Sequence, residues 1–220
     1  LPPTMVLWVA LFHRYTAGYK VRVVADCHNA MFRSPWCDVP GFRLLNRADV
    51  ILAHNKEIAA VAERIGLSRD RIVVLEDAPG EFGHVTSSTK LPIEPPRPWF
   101  LFPASFSEDE PLRELVGAAP DCAGGTILIT GRPKSDEQRR MVATAPGNVV
   151  FLGFVPIDVF ERYVVESDAV LALTKLVDVQ LSACNEAVGA GKPLITSDTP
   201  TLRSMFEGSG ALFVDWRDTA

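Results

Sequence analysis

Hydrophobic positions along this chain fall in short β-branched runs, separated by stretches where apolar and polar residues alternate at helical spacing. That alternation is the signature of strand–helix–strand units around a parallel sheet. Val21-Arg22-Val23-Val24-Ala25 reads as a buried strand and is followed by polar Asp26, His28 and Asn29. Val50-Ile51-Leu52-Ala53 reads as a second strand, again followed by polar residues, His54 and Asn55. A helix from Lys56 to Ile65 ends at Gly66, a residue suited to the turn past a helix C-terminus. Ile72-Val73-Val74-Leu75 is a third strand. The opening run Met5 to Phe12 is apolar, short and closed by His13 and Arg14, and reads as a buried helix, with a membrane-surface segment as the alternative.

The pattern then breaks. Residues Ala78 to Pro98 hold five prolines and two glycines and end in Pro95-Pro96-Arg97-Pro98, a composition that suits an interdomain linker. A second alternating series follows, with strands predicted at Trp99–Pro103, Thr126–Thr130, Asn148–Leu152, Ala169–Leu173, Pro193–Thr196 and Ala211–Val214. Between them lie helical stretches at Pro111–Gly117, Asp158–Glu166, Leu181–Ala190 and Leu202–Phe206. The expected fold is therefore α/β, two Rossmann-like lobes facing a cleft: a first lobe over residues 1–90, incomplete, a Pro-rich linker at 91–98, and a second lobe over 99–220. Both ends read as truncations, since Leu1-Pro2-Pro3 lacks an initiating Met and the chain stops just after a strand-like run.

Composition narrows the functional classes. Of 220 residues, 47% are hydrophobic and 22% charged, as in a soluble globular protein with ample material for a core. A net charge of −5 argues against a nucleic-acid partner, which recruits Lys and Arg to its phosphates. No uncharged apolar run approaches the roughly 18 residues that a membrane span needs. The four cysteines, Cys27, Cys37, Cys122 and Cys184, have no CxxC spacing and no companion histidines, which fits reduced thiols in a cytoplasmic protein and no zinc site.

The most informative segment runs from Asp178 through Glu186 to Gly191-Lys192-Pro193. Ala183, Ala187, Gly189 and Ala190 keep its helix thin, so a ligand or a sheet can approach closely. Asp178, in the loop before the helix, and Glu186, within it, would both accept hydrogen bonds from sugar hydroxyls. The competing reading is that the small residues only pack on the sheet and the carboxylates are solvated. Gly131 ends a strand and opens Gly131-Arg132-Pro133-Lys134, where a glycine permits close backbone approach; an ordinary strand-to-helix turn with a solvated basic pair is the alternative. No GxGxxG follows any strand, which argues against a nicotinamide dehydrogenase.

The segment 178–198 resembles the C-terminal signature of GT-B glycosyltransferases, above all the large retaining family 4: an acid, seven residues, Glu-Ala, then Gly-Lys/Xaa-Pro-hydrophobic. The resemblance implies that Glu186 holds a nucleotide ribose and that Asp178, one methylene shorter than the family's usual Glu, contacts the donor sugar. It also implies that Gly131, Arg132 and Lys134 lie near the donor diphosphate, with Ser182 beside them. The segment Val149–Pro156 resembles the one whose backbone contacts the nucleotide base; for Phe154 itself, core packing is the expected role. The Arg and Lys that family 4 often places after the first strand of the second lobe are replaced by Ser105-Phe106-Ser107-Glu108-Asp109-Glu110-Pro111. That stretch resembles the chitobiosyldiphosphodolichol β-mannosyltransferases, inverting enzymes that use GDP-mannose. Leu1-Pro2-Pro3-Thr4 and Ala25-Asp26-Cys27-His28-Asn29 are similar to the same group.

What the resemblance implies is transfer of a glycosyl group from a UDP- or GDP-linked sugar to an acceptor hydroxyl, in polysaccharide or lipid-linked glycan synthesis. The nucleotide sugar is then a substrate, with no cofactor and no metal, since no DxD motif stands near a strand end. His28 would orient the donor sugar or the acceptor, and Asp26 would be a base or hold His28; the alternative is that both cap the following loop. His54 and Asn55 read as an N-cap or cleft-lining pair. The expected partners are a nucleotide sugar and a glycan or lipid-linked acceptor, with Met5–Phe12 the one candidate for peripheral contact at the inner membrane face. Two other functions stay open: a GT-B sugar-nucleotide epimerase, and a non-catalytic sugar-nucleotide-binding subunit.

Overall fold

A strand that is apolar at every position needs both faces of its sheet covered. The computed structural model, which describes residues 3–16, 21–33, 35–39, 41–122 and 124–218, builds two parallel sheets, and the central strands of the larger one meet this need. The sheets belong to two compact units, Leu1–Asp77 and Ala78–Ala220.

The first unit contains α1 (Pro3–Thr16), β1 (Val24–Cys27), β2 (Val50–Ala53), α2 (Lys56–Arg64) and β3 (Ile72–Val74), with 3-10 turns at Asn29–Phe32 and Phe42–Arg47. Its strands are parallel in the order β1-β2-β3, and Val24 pairs with Val50 and Cys27 with Ala53. The first strand starts three residues later than its hydrophobic run suggests. The Asp49 carboxylate accepts the Val23 N–H at 2.7 Å and the Arg14 guanidinium at 2.8 Å, so the ladder begins only at Val24. As a result Asp26 lies inside the strand rather than beyond it. Asn55 caps α2 by accepting the Ile58 N–H at 2.8 Å, which satisfies a donor that the first helical turn leaves unpaired.

The helix expected to be buried, α1, is covered on one side only. Leu7 is buried in the core cluster, whereas Val6, Trp8, Val9, Phe12 and Tyr15 are exposed. Of the Leu1-Pro2-Pro3-Thr4 segment, Leu1 and Pro2 lie outside the described residues.

The second unit runs β4 (Trp99–Phe102), α3 (Leu112–Ala118), β5 (Thr126–Thr130), α4 (Asp136–Ala143), β6 (Val149–Gly153), α5 (Ile157–Glu166), β7 (Ala169–Ala172), α6 (Ser182–Gly189), β8 (Leu194–Ser197), α7 (Pro200–Phe206) and β9 (Leu212–Val214). All pairs are parallel, in the order β6-β5-β4-β7-β8-β9. Strand alternation divides the core between the two faces. Phe102, Ile127 and Ile129 pack with Leu112 and Val116, and Trp99, Leu101 and Leu128 pack with Tyr163 and Val164. Helix α4 buries no residue, so its apolar period is weak; its sequence signal is the capping box of Ser135 and Gln138.

Residues 78–98 pack on the second unit. Leu91 joins the cluster around Tyr163, whose hydroxyl donates to the Ile93 carbonyl at 2.7 Å. Arg162 donates to the Thr86 and Thr89 carbonyls, and Thr126 Oγ1 to that of Pro96. At Gly80 the backbone crosses α6: the Gly80 N–H donates to the Asn185 carbonyl, and a Cβ on Gly189 would collide with the Gly80 carbonyl oxygen. The thinness of α6 is used here by the protein's own chain. Gly189→Ala is therefore expected to destabilise the protein by about 1–3 kcal/mol, the usual cost of overpacking, as a lowered urea midpoint at an unchanged slope. An unchanged midpoint would show that the crossing is not held in solution.

Candidate functional site

The order β6-β5-β4-β7-β8-β9 reverses direction between β4 and β7, and a doubly wound sheet binds its ligand beyond the carboxyl ends of the strands at that switch. A pocket of about 330 Å³ opens there. Its walls are Ala104 and Ser105 after β4, Thr130 at the end of β5, Leu173 after β7, and Gln180, Ser182 and Glu186 from the approach to α6 and its first turns. Leu181 caps α6 without a side-chain hydrogen bond. The first-turn amides therefore keep the partial positive charge that favours an anion.

Glu186 half-emerges into this pocket, and burial pushes its carboxyl above the ordinary 4.5. The cause of that shift is desolvation. A carboxylate held this way is short of donors, and hydroxyls of a bound ligand would supply them. Asp178 sits in the loop between β7 and α6, half-buried and outside the pocket wall. That loop is pinned by the Lys175 N–H to the Asp109 carbonyl at 2.7 Å and by Thr201 Oγ1 to the Val177 carbonyl at 3.0 Å.

On the β4 side, Phe106 adopts a left-handed conformation, φ 57°, with its ring buried in the core. The turn is closed by Glu110, whose carboxylate accepts the Ser105 N–H at 2.8 Å, the Ser105 hydroxyl at 2.8 Å and the Ser107 N–H at 3.3 Å. This chain thus folds a carboxylate into the amides of its own turn. Gly131 has φ 94°, and a Cβ on it would collide with the Ala104 carbonyl, so the glycine there serves chain-to-chain contact. Arg132 lies over the Phe154 ring, 5.6 Å from its centre. Phe154 is 74% exposed, which overturns the expectation of core packing: β6 ends at Gly153, and the ring turns outward. Lys134 lines an adjoining groove with Phe106, Ser107, Glu110 and Gln138. Ser105, Glu110, Thr130 and Gln180 are wall residues that were not among the candidate site residues, although Ser105, Glu110 and Gln180 lie within segments that carry the resemblance.

In the first unit the ends of the three strands gather a second group. Asp26 Oδ1 lies 2.9 Å from His54 Nε2, and Asp77 Oδ1 lies 3.4 Å from His54 Nδ1. The His28 and His54 rings are 4.2 Å apart at 31°. Ligand atoms of Asp26, His28 and His54 all lie within 4.8 Å of one another. Cys27 points the other way into the core, where burial and then the neighbouring Asp26 push its thiol up to about 12.

No protein-family model matches the chain, and no curated protein sequence matches it. Solved structures do. HepE of Anabaena in complex with UDP-glucose superposes with a TM-score of 0.75 at 16% identity, over 96% of this chain and 63% of that one. The lipopolysaccharide outer core galactosyltransferase WaaB, in apo form, gives 0.62 at 18%, over 98% and 61%. Sucrose-phosphate synthase from Thermosynechococcus elongatus gives 0.69 at 16%, over 97% and 59%. The fold is GT-B. The chain spans about 60% of the length of these structures. As expected from its alternating pattern, it carries two Rossmann-like α/β units in series.

Two outcomes follow from the pocket's physics. Folding raises the Glu186 pKa, so the folded state binds that proton more tightly than the unfolded state. The associated stability is complete below the ordinary 4.5 and is lost as pH rises through the raised value. Glu186→Gln should accordingly melt higher than the parent at pH 7, with the difference vanishing on acidification below that ordinary value; a pH-independent difference would exclude this origin. Gly131→Ala combines a positive φ with a backbone collision and should lower stability by about 2 kcal/mol or more, read by urea titration.

Proposed function

We propose that this chain carries the donor-binding part of an enzyme that transfers a glycosyl group from a UDP- or GDP-linked sugar to an acceptor hydroxyl, in polysaccharide or lipid-linked glycan synthesis. The observation that carries the reading is Glu186, a desolvated carboxylate on the wall of the switch-point pocket beside an uncapped helix N-terminus. Ribose hydroxyls donate to Glu186, and the α6 amides face the diphosphate. Ser182 and Asp178 serve the donor sugar. Phe154, under Arg132, offers an aromatic face for the base, and Gly131, Arg132 and Lys134 flank the diphosphate, whose charge is met without a metal or cofactor. The HepE structures, which hold UDP-glucose or UDP, agree with a nucleotide sugar as the ligand of this fold.

The acceptor belongs to the first unit. Its hydroxyl oxygen forms the new bond to the sugar's anomeric carbon while the bond to the diphosphate breaks. The released proton passes to Asp26, and His28 orients the hydroxyl. A peripheral contact at the inner membrane face completes the reading, with Trp8, Phe12 and Tyr15 on the open side of α1. Among the described residues no helix is long and apolar enough to cross a membrane. Trp8→Ser with Phe12→Ser should abolish co-sedimentation with anionic vesicles if that contact is real; retention by the double variant would remove it from the reading. One observation favours a second reading, a sugar-nucleotide-binding subunit without turnover: Glu110 fills the turn where a base would meet the leaving group.

The decisive experiment is thermal stabilisation of the chain by UDP, GDP, ADP and their sugars. A true donor at 100 times its dissociation constant adds about 2.7 kcal/mol. Glu186→Ala should weaken that ligand by about 10–100-fold, the worth of a hydrogen bond to a charged group. A well-folded chain whose melt no nucleotide shifts would refute donor binding.

A further inference from the structure

The strand ends of the first unit hold more than a catalytic pair. Asp26 and His28 are two apart on an extended segment, His28 having φ −74° and ψ 159°, so both side chains leave the same face. The register pairs Cys27 with Ala53, which sets the next residues, His28 and His54, side by side. β3 is in register with β2, and the Leu75 N–H still bonds the Ala53 carbonyl, which carries Asp77 to the far nitrogen of His54. The buried Asn55, capping α2, holds the backbone immediately after His54.

Three groups with metal-ligating atoms converge here. Asp26 Oδ1 lies 2.9 Å from His54 Nε2, the His28 ring lies 4.2 Å from that of His54, and ligand atoms of all three residues lie within 4.8 Å of one another. A separation of 2.9 Å also matches two ligands about 2.0–2.1 Å from a common ion. Asp77 then occupies the place of the outer carboxylate that orients a metal-bound histidine.

We propose that Asp26, His28 and His54 form a binding site for a divalent transition cation of the zinc class, with Asp77 orienting His54. Two imidazoles and one carboxylate suit zinc, cobalt or nickel rather than magnesium or calcium. The site does not depend on the donor pocket. Where the acceptor reading of Asp26 and His28 holds, a bound cation occupies both groups, so zinc would block transfer and leave nucleotide binding intact.

The test titrates the whole chain with zinc(II) by calorimetry and with cobalt(II) by visible absorption. One equivalent is expected to bind, without the charge-transfer band of thiolate ligation. His28→Ala and His54→Ala should each weaken binding at least tenfold, and Asp77→Asn, which leaves all three ligands in place, by about 10–100-fold. His84→Ala and Cys122→Ser, both in the second unit and not members of the cluster, should bind as the parent does. Circular dichroism checks that each variant is folded, and the exposed His28 is the variant least able to disturb the core. If the parent binds no zinc, the proposal fails. It fails equally if His28→Ala binds as tightly as the parent, or if Cys122→Ser loses the metal. A missing nucleotide shift with zinc binding intact would overturn the proposed function and not this site.

Discussion

Parallel pairing in register is the constraint on which the rest of this protein depends. Parallel strands all end on the same side, so every residue just past a strand is delivered to one edge of its sheet. In the second unit that edge receives Ala104, Thr130 and Leu173 from three neighbouring strands, and the reversal of order between β4 and β7 opens the pocket among them. In the first unit the same rule sets His28 against His54 and brings Asp77 behind. Asp26 and His28 are neighbours in sequence and Ser182 and Glu186 share a helix, but His54, Asp77, Ser105 and Thr130 are brought to them by strand pairing. Each depends on hydrogen bonds between strands up to dozens of residues apart, so loss of a ladder would scatter the chemistry together with the core.

Close backbone packing sets the shape of the pocket at the switch point. Gly131 lies against the Ala104 carbonyl and Gly189 against Gly80, so two of the walls are positioned by contacts that tolerate no Cβ. The segment around Gly80, proline-rich and without regular structure, is part of the second unit's packing because α6 presents small residues to it. The same slender helix carries Glu186. Its desolvation raises the cost of the charged form.

Charge is distributed unusually around this pocket. The turn after β4 turns its amides onto Glu110, Lys134 lines the adjoining groove with that same Glu110, and Arg132 lies over the Phe154 ring. Donor binding and turnover make different demands on this arrangement, since a nucleotide can be held by ribose contacts and amides, whereas a departing diphosphate needs its growing charge met.

The alternating hydrophobic pattern by itself determined the two α/β units and, among the described residues, all nine strands and most of the helices, because runs such as Ala169–Ala172 suit buried strands. It also drew attention to Asp26 and His28 at the end of a strand run, whereas Glu186 and Ser182 were candidates through the small-residue helix and its resemblance. Helix α4 escaped because it buries nothing, although its capping box was legible in Ser135 and Gln138. The start of β1 was displaced by Asp49, a partner 26 residues away that no local pattern reveals. Phe154 was apolar and so looked like core, but its exposure depends on where β6 stops. Only the tertiary structure decided that Ser105 and Glu110 share a wall with Glu186, that Gly189 serves a backbone crossing, and that His54 stands between two carboxylates. Periodicity specifies which face of an element is buried. Which residues meet across elements depends on strand order and register, and these are fixed only when the whole sheet is assembled.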